Sequence, residues 1–266
     1  MTTDRKDRRI FLGMPGYGKQ TAAAGRAFYI ACADFGSVFR AYENGSLLAN
    51  NFNKLWCHVL NKVHRGERVD YFAMLHDDIG AEDFWLDKLI DELEAKQLDV
   101  LGVVVPIKDH RGFTSVAVHE PGDNWEVDCR LTMRDMAKLP ETFTEADLGK
   151  PLLLNTGCWV AKWNQSWARQ VHFEINDRII FDIPFNCYRP QVEPEDWFFS
   201  RQLNDIGLRI GATRKIAVQH QGELDFLNTH VWGSCEFDNE SPKRGRTKSP
   251  VPETAKKNHK PELLEV

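Results

Sequence analysis

Tyr71-Phe72-Ala73-Met74-Leu75 runs without a polar break into His76-Asp77-Asp78. An unbroken apolar run of that length predicts a strand covered on both faces, as in parallel sheets with helices above and below. Open α/β sheets bind ligands outside the carboxyl ends of their strands, and this strand delivers its acids there. Two adjacent carboxylates and an imidazole can hold a hard or borderline divalent cation, which in turn suits a phosphorylated ligand. The helix start at Ala81-Glu82-Asp83-Phe84 explains the same acids as an N-cap, so this segment alone leaves both readings open.

The flanking pattern extends the α/β reading. Arg9-Ile10-Phe11-Leu12 reads as a first strand ending at Gly13, and Gly13-Met14-Pro15-Gly16-Tyr17-Gly18 reads as a loop. Residues 21–39 are expected to be helical, as are 46–63, where Leu47, Phe52, Leu55, Trp56 and Val59 recur at helical spacing. Residues 84–98 read as an amphipathic helix and 100–106 as a buried strand. The order β-α-β-α-β predicts a mostly parallel central sheet flanked by helices in one α/β domain. Beyond Lys108 polar residues dominate to Lys150, and short strands and turns are expected. Residues 163–173 and 195–203 read as helices, and Ile216-Ala217-Val218 as a late strand running into His220.

With 266 residues, 42% hydrophobic, the chain can bury a substantial core. A net charge of −5 excludes a generic polyanion binder. The longest apolar run, Val100 to Ile107, is too short to span a bilayer, and the first residues lack a signal-peptide core. Six scattered cysteines without a CxxC pair point to reduced thiols and a cytoplasmic setting. The domain is expected over 1–238. Residues 239–266, with four prolines, seven Lys/Arg and no aromatic residue, read as a disordered basic tail. Such an arm could also touch DNA.

Three further constellations carry chemistry. Gly13 to Lys19 fits the phosphate-binding pattern G-x-x-x-x-G-K, but Gln20 stands where a magnesium-binding hydroxyl belongs. Pro15 also removes a backbone N–H from that segment. A P-loop nucleoside triphosphatase is therefore the alternative rather than the first reading. Glu193-Pro194-Glu195-Asp196 places acids at a helix start, where capping or general-base work explains them. His220 follows a strand and becomes notable only if a cation near Asp78 needs another ligand.

In this order the segments resemble the GT-A fold glycosyltransferases, in particular the inverting family 2 type, with phage-encoded and environmental members closest in style. The resemblance covers roughly residues 8–225. It implies a Rossmann-like GT-A domain that binds a nucleotide-diphospho-sugar, a UDP-sugar first among them, with Mn2+ or Mg2+. It assigns Met14, Pro15 and Tyr17 to the nucleotide loop and Asn53 to a polar donor contact. The family's Asp-x-Asp motif maps to His76-Asp77-Asp78. Asp78, His220 and His76 then become metal ligands, and Asp77 a ribose contact. Thr156 and Gly157 lie near the donor sugar. Asp196 is the base that deprotonates the acceptor, with Glu195 beside it. His76 replaces the first Asp of the motif, and the Arg of the family's Arg-Asn pair is missing.

The resemblance implies transfer to an acceptor hydroxyl with inversion. The acceptor itself is not encoded in any motif. A hydroxymethylated DNA base is one candidate, with Trp159, Trp163, Trp167 and Trp197 as stacking residues, although core or sugar-stacking roles explain them more simply. A metal-dependent nucleotide-binding protein without transferase activity is the non-enzymatic alternative.

Overall fold

Alternate residues of β1 (Ile10–Gly16) go to opposite sides of a sheet, and each side has its own core. Ile10, Leu12 and Met14 join one core, and Phe11 joins the other. The computed structural model describes residues 7–108, 110–119, 130–222 and 225–233. After β1 come α1 (Ala22–Tyr29), β2 (Val38–Asn44), α2 (Leu48–His64), β3 (Tyr71–Leu75), β4 (Ile79–Ala81), α3 (Trp85–Ala95) and β5 (Val100–Val103). The next segment holds β6 (Phe113–Val118), β7 (Arg130–Thr132), α4 (Met133–Met136), β8 (Thr142–Thr144), α5 (Glu145–Leu148) and β9 (Leu152–Leu153). The chain continues through β10 (Cys158–Lys162), α6 (Gln165–Ala168), β11 (Asn176–Asp182), β12 (Cys187–Glu193) and α7 (Glu195–Asp205). It then forms β13 (Ile210–Thr213), β14 (Val218–Gln221) and β15 (Asp225–Leu227).

The central sheet has seven strands in the order β2-β1-β3-β10-β5-β13-β8. Five run one way, while β10 and β8 run against their neighbours. The sheet is therefore mixed, and the mostly parallel expectation holds for strand direction rather than for every pairing. Helices α1 and α3 cover one face, and α2, α6 and α7 the other. From β1 the chain steps outward to β2, then crosses back to β3 on the other side of β1. The order thus reverses between β1 and β3, and their carboxyl ends flank the crevice where sheets of this type bind ligands.

Several expectations need correction. Residues 13–16 are strand, not loop, because β1 pairs with β2 as far as Gly16↔Asn44. Gly13 permits this: a Cβ there would lie 2.9 Å from a Leu55 methyl, so α2 packs directly on the strand. Pro15 is tolerated because pairing with β3 has already ended at Gly13↔Met74. With that segment extended, no loop of N–H groups cradles a phosphate there. The Thr21 hydroxyl caps α1 by accepting from Ala24 N at 3.2 Å. The P-loop reading fails on both counts.

The helix expected over 21–39 stops at Tyr29. Asp34 closes a turn onto Gly36 N, and β2 follows as an edge strand. The helix expected over 163–173 shrinks to α6, because tertiary contacts claim its backbone. Asn53 donates to Phe173 O at 2.7 Å and accepts from Phe173 N at 2.9 Å, while Trp56 Nε1 donates to Ala168 O at 2.8 Å. The late strand starts at Val218 rather than at Ile216. The tail, 239–266, lies outside the described residues.

Trp56 centres the second core. Its ring meets Phe72 at 4.7 Å, Trp163 at 4.9 Å, Trp167 at 5.7 Å and Phe199 at 5.9 Å between centroids. Trp159 and Trp197 are also fully buried. Trp56, Trp159, Trp167 and Trp197 are thus packing residues, and Trp163 lies half-buried against the same core. Among the described residues no helix is long and apolar enough to cross a membrane.

Candidate active site

The carboxyl ends of β1 and β3 meet at Gly16 and Asp77. A Cβ on Gly16 would lie 2.4 Å from Asp77 Oδ2, so only glycine lets this carboxylate approach the strand end. Asp77 is buried and its Oδ2 has no hydrogen-bond partner. Burial, and then the charge of Asp78, push its carboxyl above the usual range, partly offset by backbone N–H groups of Gly18 and Tyr17. The Tyr42 hydroxyl of β2 faces the same spot, and burial, then Asp77, raise its pKa. Asn51 Nδ2 holds the wall by donating to Gly16 O and Gly45 O, each at 3.0 Å.

Asp78 lies one residue on, and strand register brings His220 to it. β4 pairs antiparallel with β14, placing His220 opposite Ile79, and Gln221 N donates to Asp78 O at 2.8 Å. His220 Nε2 is then 3.4 Å from Asp78 Oδ2. The other ring nitrogen, Nδ1, lies 2.8 Å from Pro106 O, which can only accept, so Nδ1 carries a proton. In a neutral ring Nε2 therefore turns a lone pair toward a carboxylate. That arrangement is favourable only with a proton on Nε2 or a cation between the two groups.

His76 completes the cluster. Its Nε2 is enclosed without a partner, as is Asp78 Oδ1. Burial lowers the His76 pKa to about 4, so its ring is neutral near pH 7 and can donate a lone pair. Burial alone would push the Asp78 carboxyl up. Hydrogen bonding and charge from His220, with His76 and Lys108, outweigh it and hold the group well below the usual carboxylate range. Lys108 Nζ sits 2.5 Å from Asp78 Oδ2.

Among the described residues no three His, Cys, Asp or Glu side chains are placed to hold a metal ion together, so the three-ligand set expected from His76, Asp78 and His220 is not assembled. The donor set fits a more open arrangement. Divalent cations that act on phosphates are commonly held by one or two protein groups, with the substrate's oxygens supplying the rest. Asp78 and His220 are such a pair, and the unpartnered Nε2 of His76 lies on the adjoining strand end.

The second cluster sits on α7. Asp196 is buried, with Oδ1 accepting from Trp197 N at 2.9 Å. Burial first, and the Glu195 charge second, push its pKa up to about 8, against the lowering influence of Arg130. Glu195 is raised for the same first reason. Arg130 stacks over the Trp197 ring at 4.6 Å. Two bridges tie α7 to the metal-type cluster. Leu154 N donates to Ser200 Oγ at 2.9 Å, and Gly157 O in the same segment accepts from His76 N at 2.8 Å. Trp197 Nε1 donates to Ser115 O at 2.9 Å, and Ser115 N to Val105 O at 3.1 Å, next to the Pro106 carbonyl that orients His220.

The residues read from the sequence thus divide. His76, Asp77, Asp78 and His220 gather at the crevice, and Thr156 and Gly157 line up beside His76. Tyr17 stands exposed at the mouth of β1. Met14 is in the core, its sulfur taken by Gln20 Nε2 at 3.0 Å, and Pro15 is buried in the strand. Asn53 has its amide fully engaged with Phe173. Tyr42, Asn51 and Lys108 are the residues that sequence reasoning missed. Asn51 alone had a signal, since it lies two positions from Asn53 and so on a different side of the helix.

No family model matches the chain, and no curated protein matches it. Among solved structures it is similar to A197 from STIV, with 14% identity and a TM-score of 0.46 over 84% of this chain and 96% of that one. A likeness of that degree transfers no residue roles.

Proposed function

We propose that the protein is a GT-A type glycosyltransferase that moves a sugar from a nucleotide-diphospho-sugar to an acceptor hydroxyl with inversion. The observation that carries this reading is the set of unpartnered buried atoms, Asp77 Oδ2, Asp78 Oδ1 and His76 Nε2, gathered where the strand order reverses. Buried polar atoms are rarely left without partners unless a ligand or ion supplies them. Here Asp78 and His220 would hold Mn2+ or Mg2+, which when bound would neutralise charge developing on the leaving diphosphate, while His76 stays a neutral ring nearby.

The chain's own residues account for the rest. Asp77 and Tyr42 bring a carboxylate and a hydroxyl against Gly16, groups that would hydrogen-bond a ribose at the strand end. Lys108 adds a positive charge within reach of the same phosphates, since it already touches Asp78. On the acceptor side Asp196 takes the hydroxyl proton, and its raised pKa makes it a stronger base than a solvated carboxylate. Arg130, over Trp197, limits how far that pKa rises. A nucleotide-binding protein without transferase activity would use the first cluster and leave Asp196 without a task.

Calorimetry with UDP, other nucleoside diphosphates and ATP, with and without Mn2+, tests the site. Metal-dependent binding of one nucleoside diphosphate is expected, with Asp78→Ala lowering its affinity by about tenfold or more. Undiminished affinity in that variant with Mn2+ present, or tight metal-independent ATP binding, would defeat the assignment.

A further inference from the structure

The ribbon β11–β12 is built inside out. One face is mostly polar and buries Asp182, Gln191 and Glu193: Arg178 Nε donates to Gln191 at 2.9 Å, Asn176 Nδ2 donates to Glu193 at 3.0 Å, and Arg189 pairs with Asp182. Arg201 of α7 clamps Glu193 with two nitrogens, so the root of the ribbon is fixed. The opposite face is apolar and faces water. Its rungs are Ile179 with Pro190 and Phe181 with Tyr188, and Val192 continues the row. Ile179 is 78% exposed and Tyr188 76%, and at the turn Ile183 is 79% exposed. Among the described residues, seven of the sixteen exposed large apolar side chains fall within 175–192.

Water favours the reverse arrangement, so this face is stabilised only by being covered. We infer that a second copy of the chain covers it, packed ribbon on ribbon about a two-fold axis. The inference does not rest on the proposed activity. Three observations select this occupant. The seven exposed large apolar side chains of 175–192 are enough to form the apolar centre of a standard interface, to which each partner contributes about 800 Å². A row of alternating apolar rungs can pack on its own copy rung against rung, as a two-fold interface requires. The face also lacks a basic rim. Arg178 and Arg189 lie on the opposite, polar face, held there by Gln191 and Asp182 although Arg178 itself is exposed, and Asp177 is the charged side chain on the apolar one. A lipid surface with anionic headgroups would select the opposite charge pattern. Because β12 leads through Pro194 into α7, the second copy would lie beside the helix that carries Asp196.

Sedimentation velocity on the full-length protein tests this. A dimer is expected as concentration rises toward about 100 µM. Ile179→Glu combined with Tyr188→Glu should raise the dimer dissociation constant by about 10²-fold or more, because charge is placed at the centre of the contact. The melting temperature of the dissociated variant and its calorimetric nucleotide binding should match the native protein's. Should the charged pair disturb folding, Ile179→Thr with Tyr188→Thr offers strand-compatible polar replacements and should weaken the dimer in the same direction. A native protein that stays monomeric at about 100 µM overturns the inference, as does a folded double variant that remains dimeric. A monomer that co-floats with phosphatidylcholine vesicles, and loses this on the same substitutions, also overturns it and assigns the face to lipid.

Discussion

Asp196→Asn is expected to separate chemistry from stability in opposite directions. Transfer should fall by about 10²-fold or more, since the amide keeps the shape but cannot accept a proton, while nucleotide affinity stays near native. The native kcat/KM should rise with pH toward the Asp196 pKa near 8, and the variant's residual rate should lose that limb. Stability should move the other way. Between about pH 4 and pH 8 the unfolded chain carries this carboxylate ionised while the folded chain keeps it protonated. The unfolded state then binds fewer protons, so native stability falls as pH rises through that window. Asn removes the effect, and the variant should be more stable than the native protein near pH 7.5, with the gap closing below pH 4. Urea unfolding at both pH values measures it. Native-rate transfer would move the base to Glu195, and a pH-independent gap would mean that Asp196 is ionised in the folded protein.

Trp56→Ala should cost about 3–5 kcal/mol, the range for removing a large aromatic side chain from a core that cannot collapse around the gap. Six aromatic rings approach Trp56 within 6.2 Å, and its Nε1 supplies the partner of Ala168 O. Denaturant unfolding reads the loss, and Trp56→Phe should recover part of it because the packing is partly refilled. A loss below about 1 kcal/mol would show that α2 and α6 can close over the space. The same substitution bears on the crevice, because α2 also carries Asn51, which holds Gly16 in place.

The candidate site was partly legible in advance. His76, Asp77 and Asp78 are adjacent in sequence and end a strand whose character its composition fixes, so their meeting at a sheet edge follows from local chemistry. His220 could be suspected from its position after a strand, yet its contact with Asp78 depends on the β4–β14 register. Lys108 and Tyr42 could not be found, because nothing local marks a lysine in a loop or a tyrosine on an edge strand as facing one carboxylate. Asn53 and Asn51 show the same limit at finer scale. Both lie on one amphipathic helix, and tertiary packing turned one toward Phe173 and the other toward Gly16.

By itself the sequence determined the period of its apolar residues, and with it α2, α3, α7, β3 and the α/β class. Those choices are local, set by which side chains must leave water over a few turns or a few strand residues. Tertiary structure decided where a local preference met a competing partner. Residues 13–16 became strand because β2 and α2 offered pairing and packing to a segment that turn chemistry alone makes a loop. Residues 163–173 lost most of a helix because Asn53 and Trp56 took its backbone groups. The reversal of strand order between β1 and β3, which creates the crevice, is a property of chain crossing, and no window of residues encodes it.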